Sequence, residues 1–168
     1  PPVCADEVTT LLAFLDYQRA TFMWRTNGLD SEQLKHSVAS STMTLGGMMK
    51  HLALVEDYWF CRVLVDAPDV EPWASVDWSF DRDWDWHSAA DDAPSALAGL
   101  WTTTVEQARA NVAEVVASEG LSARARRAFD DGTAPSLRWI LCHMIEEYAR
   151  HNGHADLIRE DIDGVTGE

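Results

Sequence analysis

Three of the six histidines of the chain, together with a carboxylate, fall within the short segment HMIEEYARHNGH, residues 143–154. At about 100° per residue, an α-helix would place the four side chains within an arc of roughly 80°. They are His143, Glu147, His151 and His154. Imidazoles and carboxylates one turn apart on a helix can bind one divalent cation, but the same spacing also occurs in solvated polar stripes. The segment alone therefore leaves a metal site and a polar helix face as alternatives.

A further ligand would have to come from another helix, and His51 is the candidate. It is the one ionisable side chain on a helix face whose other members are Gly47, Met48, Leu54, Val55 and Tyr58. A histidine in such a position is often a hydrogen-bonded core residue rather than a ligand. Two helices would nevertheless direct His or Glu side chains into the same core. A divalent-metal site shared by them is therefore as well supported as a hydrogen-bonded core histidine.

Hydrophobic periodicity predicts four helices to position these residues, at about 6–27, 44–65, 93–118 and 136–160. Four helices with two long connections predict an all-α fold, a four-helix bundle, in a single domain over residues 1–168.

The second predicted helix begins with an unusual sequence. Thr44 is a suitable N-cap, and the Gly46-Gly47 pair follows it. Each glycine costs about 1 kcal/mol of helix propensity. We therefore expect another helix or a ligand to approach the backbone closely at this pair.

The connection at 66–92 contains four tryptophans, and so many aromatic residues favour an ordered segment over a disordered linker. They are Trp73, Trp78, Trp84 and Trp86. Packing over the helices is favoured over lining a substrate pocket. The acidic residues Asp81, Asp83 and Asp85 resemble the opening of a calcium loop, but Trp86 stands where that loop needs glycine, so calcium binding is not predicted.

Composition excludes several classes of function. The net charge is -15, and no basic patch or stripe is visible, which argues against nucleic acid and anionic membranes as partners. No apolar stretch reaches transmembrane length and no secretory signal is evident. The three cysteines are far apart and form no C-x-x-C pair, so we expect reduced thiols in a cytoplasmic protein rather than a thiolate metal site.

Two segments resemble the DinB-like superfamily, and most closely its actinobacterial branch that was long catalogued as a domain of unknown function. They are STMTLGGMMKHLALVEDYWF at 41–60 and SLRWILCHMIEEYARHNGHADLIRE at 136–160, and the resemblance extends over nearly the whole chain. It implies a four-helix bundle that binds a divalent metal ion, most often zinc or nickel. The implied ligands are a histidine of the second helix and two residues four apart on the last helix, here His51, Glu147 and His151.

The match to the family signature is incomplete at three positions, Glu147, Asn152 and His154. HNGH stands where many members have HRGQ, so His154 replaces a glutamine and is either a fourth ligand or a group that supports the ligands. Glu147 stands where many members have histidine, as in the related mycothiol-dependent maleylpyruvate isomerase. His143, one turn earlier, is expected to pack or hydrogen-bond nearby.

The resemblance also implies an activity, because relatives include thiol S-transferases that use mycothiol or bacillithiol. Three protein ligands leave one position on zinc open, and a thiol that enters it loses its proton. We therefore expect a zinc-dependent mycothiol S-transferase that acts in detoxification, where the zinc-bound thiolate attacks a small electrophile. Mycothiol is neutral apart from its thiol, which suits an acidic protein. Met48, Val55 and Tyr58 are the candidates for the electrophile pocket.

Two other functions remain as alternatives. In a metal-dependent hydrolase, water would occupy the open position and Glu146 would act as the base, although Glu146 lies about 100° around the helix from Glu147. In a non-catalytic metal-binding homodimer, His154 would close the site as a fourth ligand.

Overall fold

Four long helical segments account for most of the residues that the computed structural model describes, residues 1–166. Within that range the regular secondary structure is all-helical, apart from one isolated β-bridge between Arg124 and Ser136. The α-helices are α1 (Glu7–Thr26), α2 (Ser31–Leu34), α3 (Leu45–Glu56), α4 (Trp84–Ser88), α5 (Pro94–Ser118) and α6 (Leu137–Asp163). A π-helical segment, Asp57–Val63, continues α3 without a break, and two 3-10 helices, Trp73–Ser75 and Ala89–Asp91, flank α4.

The ends of the long helices follow from side chains that satisfy free backbone groups. Asp6 accepts a hydrogen bond from the backbone N–H of Thr9 at the start of α1, and Thr44 caps α3 in the same way. Ser136 caps α6, which ends at Gly164 in the left-handed conformation with φ +75°. The four predicted helices are therefore present, with ends within three residues of those expected.

The long helices pack so that α1 lies along α6, while α3 contacts both α5 and α6. A polar network connects all four of them inside the apolar core. Arg19 of α1 donates two hydrogen bonds of 2.7 Å to Glu56 of α3, and Tyr148 of α6 donates one of 2.8 Å to the same carboxylate. Trp101 of α5 donates to the Tyr148 hydroxyl at 2.9 Å. Because each polar group has a partner, the network satisfies the requirements of buried charge.

The tryptophan-rich connection folds back onto α3. Trp73 is buried, and its ring centroid lies 6.3 Å from that of Trp84. The Nζ atom of Lys50 on α3 lies 4.2 Å from the centre of the Trp84 ring and 2.6 Å from Asp92 Oδ2. The connection is thus packed against the helices, as its composition favours, but it contains short helices that periodicity does not predict.

The glycine pair of α3 allows neighbouring elements to approach the helix backbone closely. A Cβ atom on Gly47 would lie 2.8 Å from Cε3 of Trp86, and one on Gly46 would lie 3.1 Å from the backbone oxygen of Leu34. The expected close approach is therefore observed, and the approaching elements are the short helices α4 and α2. No helix within residues 1–166 has both the length and the apolar composition that crossing a membrane requires.

Candidate metal centre

His51 of α3 and Glu147 and His151 of α6 meet at one point between the two helices. The Nε2 atoms of both histidines lie 3.2 Å from the same carboxylate oxygen, Oε1 of Glu147. One potential ligand atom from each of the three residues lies within 4.8 Å of the other two. The two imidazole rings approach edge to face, with centroids 5.1 Å apart. Residue spacing alone did not determine whether His51 lies next to Glu147 and His151, and the structure shows that it does.

The three donors fit a divalent cation. Zinc binds imidazole nitrogen and carboxylate oxygen at about 2.0–2.2 Å, so neighbouring ligand atoms of a tetrahedral site lie roughly 3.4 Å apart. The observed separations of 3.2 Å are close to that value. The side chains of His51 and Glu147 keep 20% and 16% of their surface accessible, so the site is partly open to solvent.

Asp85 of α4 supports the site from behind. The Nδ1 atom of His51 donates a hydrogen bond of 2.8 Å to Asp85 Oδ2, and Asp85 is only 3% exposed. This bond fixes the ring so that Nε2 is directed at Glu147, an arrangement that carboxylates commonly provide for metal-binding histidines. Sequence reasoning missed this role. The available signal was the position of Asp85 between two tryptophans, which favours burial.

Trp86, the next residue of α4, covers the two imidazoles. Its ring stacks on that of His51 at a centroid distance of 4.8 Å and an interplanar angle of 29°, and its centroid lies 5.7 Å from that of His151. Gly47 makes room for this ring, because a side chain there would collide with it. Trp86 therefore both packs on α3 and forms one wall of the site.

The charges of the site favour a cation. Burial alone would lower the pKa of His51, but its hydrogen bonds to Asp85 and Glu147 outweigh burial and raise the pKa to about 9. Hydrogen bonds from His151 and His51 hold the pKa of Glu147 well below its usual range, although partial burial opposes them. The two carboxylates thus stabilise positive charge between them, and a divalent cation would take the place of the imidazole proton.

Two further histidines of the candidate segment lie beside the cluster. His154 packs edge-on against His151, with ring centroids 5.6 Å apart, and its Nδ1 has no hydrogen-bond partner among residues 1–166. His143 stacks on Trp139 at 5.1 Å and is not part of the cluster. The predicted triad is therefore assembled, and these two residues border it.

The remaining candidates occupy different environments. Met48 is fully buried in the core, Val55 is half-buried, and Tyr58 is 36% exposed. Glu146, the base of the hydrolase alternative, has a side chain that is 55% exposed and forms an ion pair with Arg150. It is thus directed away from the three-residue cluster.

Comparison with known proteins agrees with the geometry. A family model described as mycothiol-S-transferase matches residues 10–164, which include every residue of the cluster and all but the first three residues of α1. A search of curated proteins found no match. The predicted resemblance is confirmed, and the chain belongs to the mycothiol-S-transferase family of DinB-like proteins.

Proposed function

We propose that this protein is a metal-dependent S-transferase that joins the thiol sulfur of mycothiol to a small electrophile. The observation that carries the proposal is the convergence of His51, Glu147 and His151, with ligand atoms within 4.8 Å of one another, in a chain of this family. These three residues would hold a divalent cation, and zinc suits two imidazoles and one carboxylate, although nickel also accepts these donors.

The chemistry requires a nucleophilic sulfur. A divalent cation held by these three residues would keep a coordination position open and would stabilise a thiolate relative to its thiol. The sulfur then forms a bond to the electrophilic carbon, whose leaving group departs with the bonding electron pair, while the thiol proton passes to solvent.

The residues of the chain prepare the site for that chemistry. Asp85 holds the His51 ring in position, and Trp86 stacks on one face of that ring and lies next to the ring of His151. Glu147 contributes the one negative charge among the three ligands, so a divalent cation and these ligands would together carry one positive charge. Val55 and Tyr58 remain our candidates for the electrophile pocket, whereas the burial of Met48 limits it to supporting them.

The proposal also covers the fold, the domain organisation and the location of the protein. The four long helices would form the four-helix bundle implied by the superfamily, in one domain, because the core draws residues from all of them. A cytoplasmic location is supported by Cys4, Cys61 and Cys142, which form no disulfide within the described residues.

The alternatives have less support. Hydrolysis with Glu146 as base is disfavoured by its ion pair with Arg150 and its exposure. A non-catalytic site closed by His154 is disfavoured because the converging donors are those of His51, Glu147 and His151.

Metal content and product formation test the proposal together. The metal-loaded protein should form mycothiol conjugates with members of an electrophile panel, detected by mass spectrometry above the uncatalysed background. His51→Ala and His151→Ala should each lose stoichiometric metal binding and conjugation while staying helical, and Glu147→Gln should weaken metal binding. His87→Ala is the matched control, because its side chain is 67% exposed and pairs with Asp81. Metal binding by both alanine variants at the parent level would refute the triad.

A further inference from the structure

A cluster of aromatic rings lies on the surface next to the metal centre and has no role in the chemistry described above. We call Trp59, Phe129, Trp139 and His143 the aromatic platform. The Trp59 centroid lies 5.4 Å from that of Trp139, 4.8 Å from that of His143 and 6.3 Å from that of Phe129. Trp139 is 49% exposed and Phe129 38% exposed. Two exposed aromatic side chains packed on two half-buried ones form a candidate binding surface.

The platform continues the stripe of the metal centre along α6. Trp139, His143, Glu147 and His151 follow one another at intervals of four residues, so their side chains lie on one side of the helix. At 1.5 Å per residue, His143 and Trp139 lie about 6 Å and about 12 Å from Glu147 along the axis. A ligand with one end at the metal centre could therefore reach the platform with the other.

The π-helical segment brings the second helix to the same surface. Trp59 belongs to this segment, which continues the helix that carries His51. A π-helical turn holds more residues than an α-helical turn and changes which side chains share a face, and such turns are frequent at functional sites. The ring of Trp59 contacts those of Trp139 and His143, so the π-helical segment packs directly against α6 at the platform.

Beyond the platform the surface becomes polar. A hollow of about 520 Å³ is lined by Phe129 and Trp139 and by hydroxyl and guanidinium groups, among them those of Ser122, Thr133, Ser136 and Arg124. Within the fold the Thr133 hydroxyl donates to Asp131, and Nη1 of Arg124 donates to a backbone oxygen. The Thr133 oxygen can still accept, and the hydroxyls of Ser122 and Ser136 and the remaining N–H groups of Arg124 can still donate. Open aromatic faces next to such groups suit a ligand that is apolar on its ring faces and hydroxylated around its edge.

We propose, as an extension of the proposed function, that the aromatic platform binds the sugar rings of the thiol cosubstrate. Mycothiol carries its thiol on a cysteinyl group joined by an amide to a pseudo-disaccharide. An extended amide unit alone spans about 3.5 Å, so two further six-membered rings extend the molecule to roughly 10 Å or more, which matches the distance to the platform. Its rings would stack on Trp139 and Trp59, and its hydroxyls would reach the polar hollow. An apolar electrophile would instead be expected in an enclosed pocket.

The test uses a probe that cannot form a thiolate. S-methyl mycothiol, titrated into metal-free protein and followed by calorimetry, reports binding of the sugar part independently of catalysis. Trp139→Ala should weaken this binding about tenfold or more. Trp24→Ala is the matched control, because Trp24 is 47% exposed on α1, on a helix that carries no residue of the platform or the metal centre. Metal content should stay at the parent level in both variants.

Three results would overturn the inference. One is parent protein that does not bind S-methyl mycothiol, and another is Trp139→Ala protein that binds it as the parent does. The third is Trp139→Ala protein that loses binding of an unreactive nitroaromatic probe but still binds S-methyl mycothiol. The platform would then bind the electrophile rather than the thiol cosubstrate. Failure of the metal centre itself is separable, since it would abolish metal uptake and conjugation but not the binding of this probe.

Discussion

Oδ2 of Asp85 lies 2.8 Å from Nδ1 of His51, so a buried carboxylate from the tryptophan-rich connection orients an imidazole of the candidate metal centre. The two residues are 34 positions apart in sequence and belong to α4 and α3. This contact makes the connection part of the site rather than only a cover for the helices, and it leads to the first prediction.

Asp85→Ala should weaken binding of zinc by about 10-fold to 100-fold, because the His51 ring loses the partner that fixes its direction. Asp83→Ala, at an exposed position two residues earlier, should bind zinc like the parent. Competition with a chromophoric chelator measures both affinities. Equal affinities for the two variants would show that Asp85 does not position the ligand.

Gly47→Ala should lower both stability and zinc affinity. The new methyl group would lie 2.8 Å from Trp86, so the Trp86 ring must move. Its stacking contact with His51 would then be lost or weakened. Overpacking of this kind costs about 1–3 kcal/mol in the free energy of unfolding, and the gain in helix propensity offsets about 1 kcal/mol of it. Gly99→Ala is the control, because its Cβ would have no atom of residues 1–166 within 4 Å apart from its chain neighbours and the backbone of its own helix. Urea denaturation and chelator competition report the two effects, and an unchanged Gly47→Ala protein would contradict the packing described here.

Glu56→Gln should be among the most destabilising single changes. It would leave the buried Arg19 guanidinium with only the half-exposed carboxylate of Asp16, 3.0 Å from Nη1, as an ionised partner. Removing one member of a buried ion pair costs about 3–5 kcal/mol. Arg109→Ala, which removes a surface ion pair with Asp16, should change stability little, because both side chains are about half exposed. Thermal and urea unfolding compare the variants, and similar losses for both would show that the buried network is not important.

Cys61 should resist thiol reagents in the folded protein. Burial and the nearby carboxylates of Asp57 and Glu56 raise the pKa of Cys61 to about 12, so it carries almost no thiolate at neutral pH. Cys4 and Cys142 are exposed and should react quickly. Native labelling with a disulfide reagent should therefore modify two thiols, and denaturant should expose the third. Equally fast reaction of all three thiols would contradict this burial.

The long helices could be predicted because their apolar residues recur at helical spacing and their ends carry cap residues such as Thr44 and Gly164. The short helix α4 could not, since five residues are too few for a periodic pattern. The role of Asp85 depends on the path of that connection, and local sequence does not determine it.

The metal centre was predictable in part. Spacing placed Glu147 and His151 on one helix face, and His51 stood out as an ionisable residue among apolar ones. The meeting of the two helices depends on tertiary packing, so spacing left it open and the family resemblance supplied it. The aromatic platform was missed because Trp59 and Trp139 are 80 positions apart in sequence. Only the folded chain brings them together.

The central claim is that His51, Glu147 and His151 hold a cation that accepts a thiol, and cobalt(II) substitution tests it most directly. The visible spectrum of the cobalt-substituted protein should show four- or five-coordinate cobalt, and mycothiol should add a sulfur-to-metal charge-transfer band. Asp83→Ala protein should behave like the parent, and His151→Ala protein should show no such spectrum. A cobalt spectrum that does not change when mycothiol is added, or the absence of cobalt binding, would contradict the account.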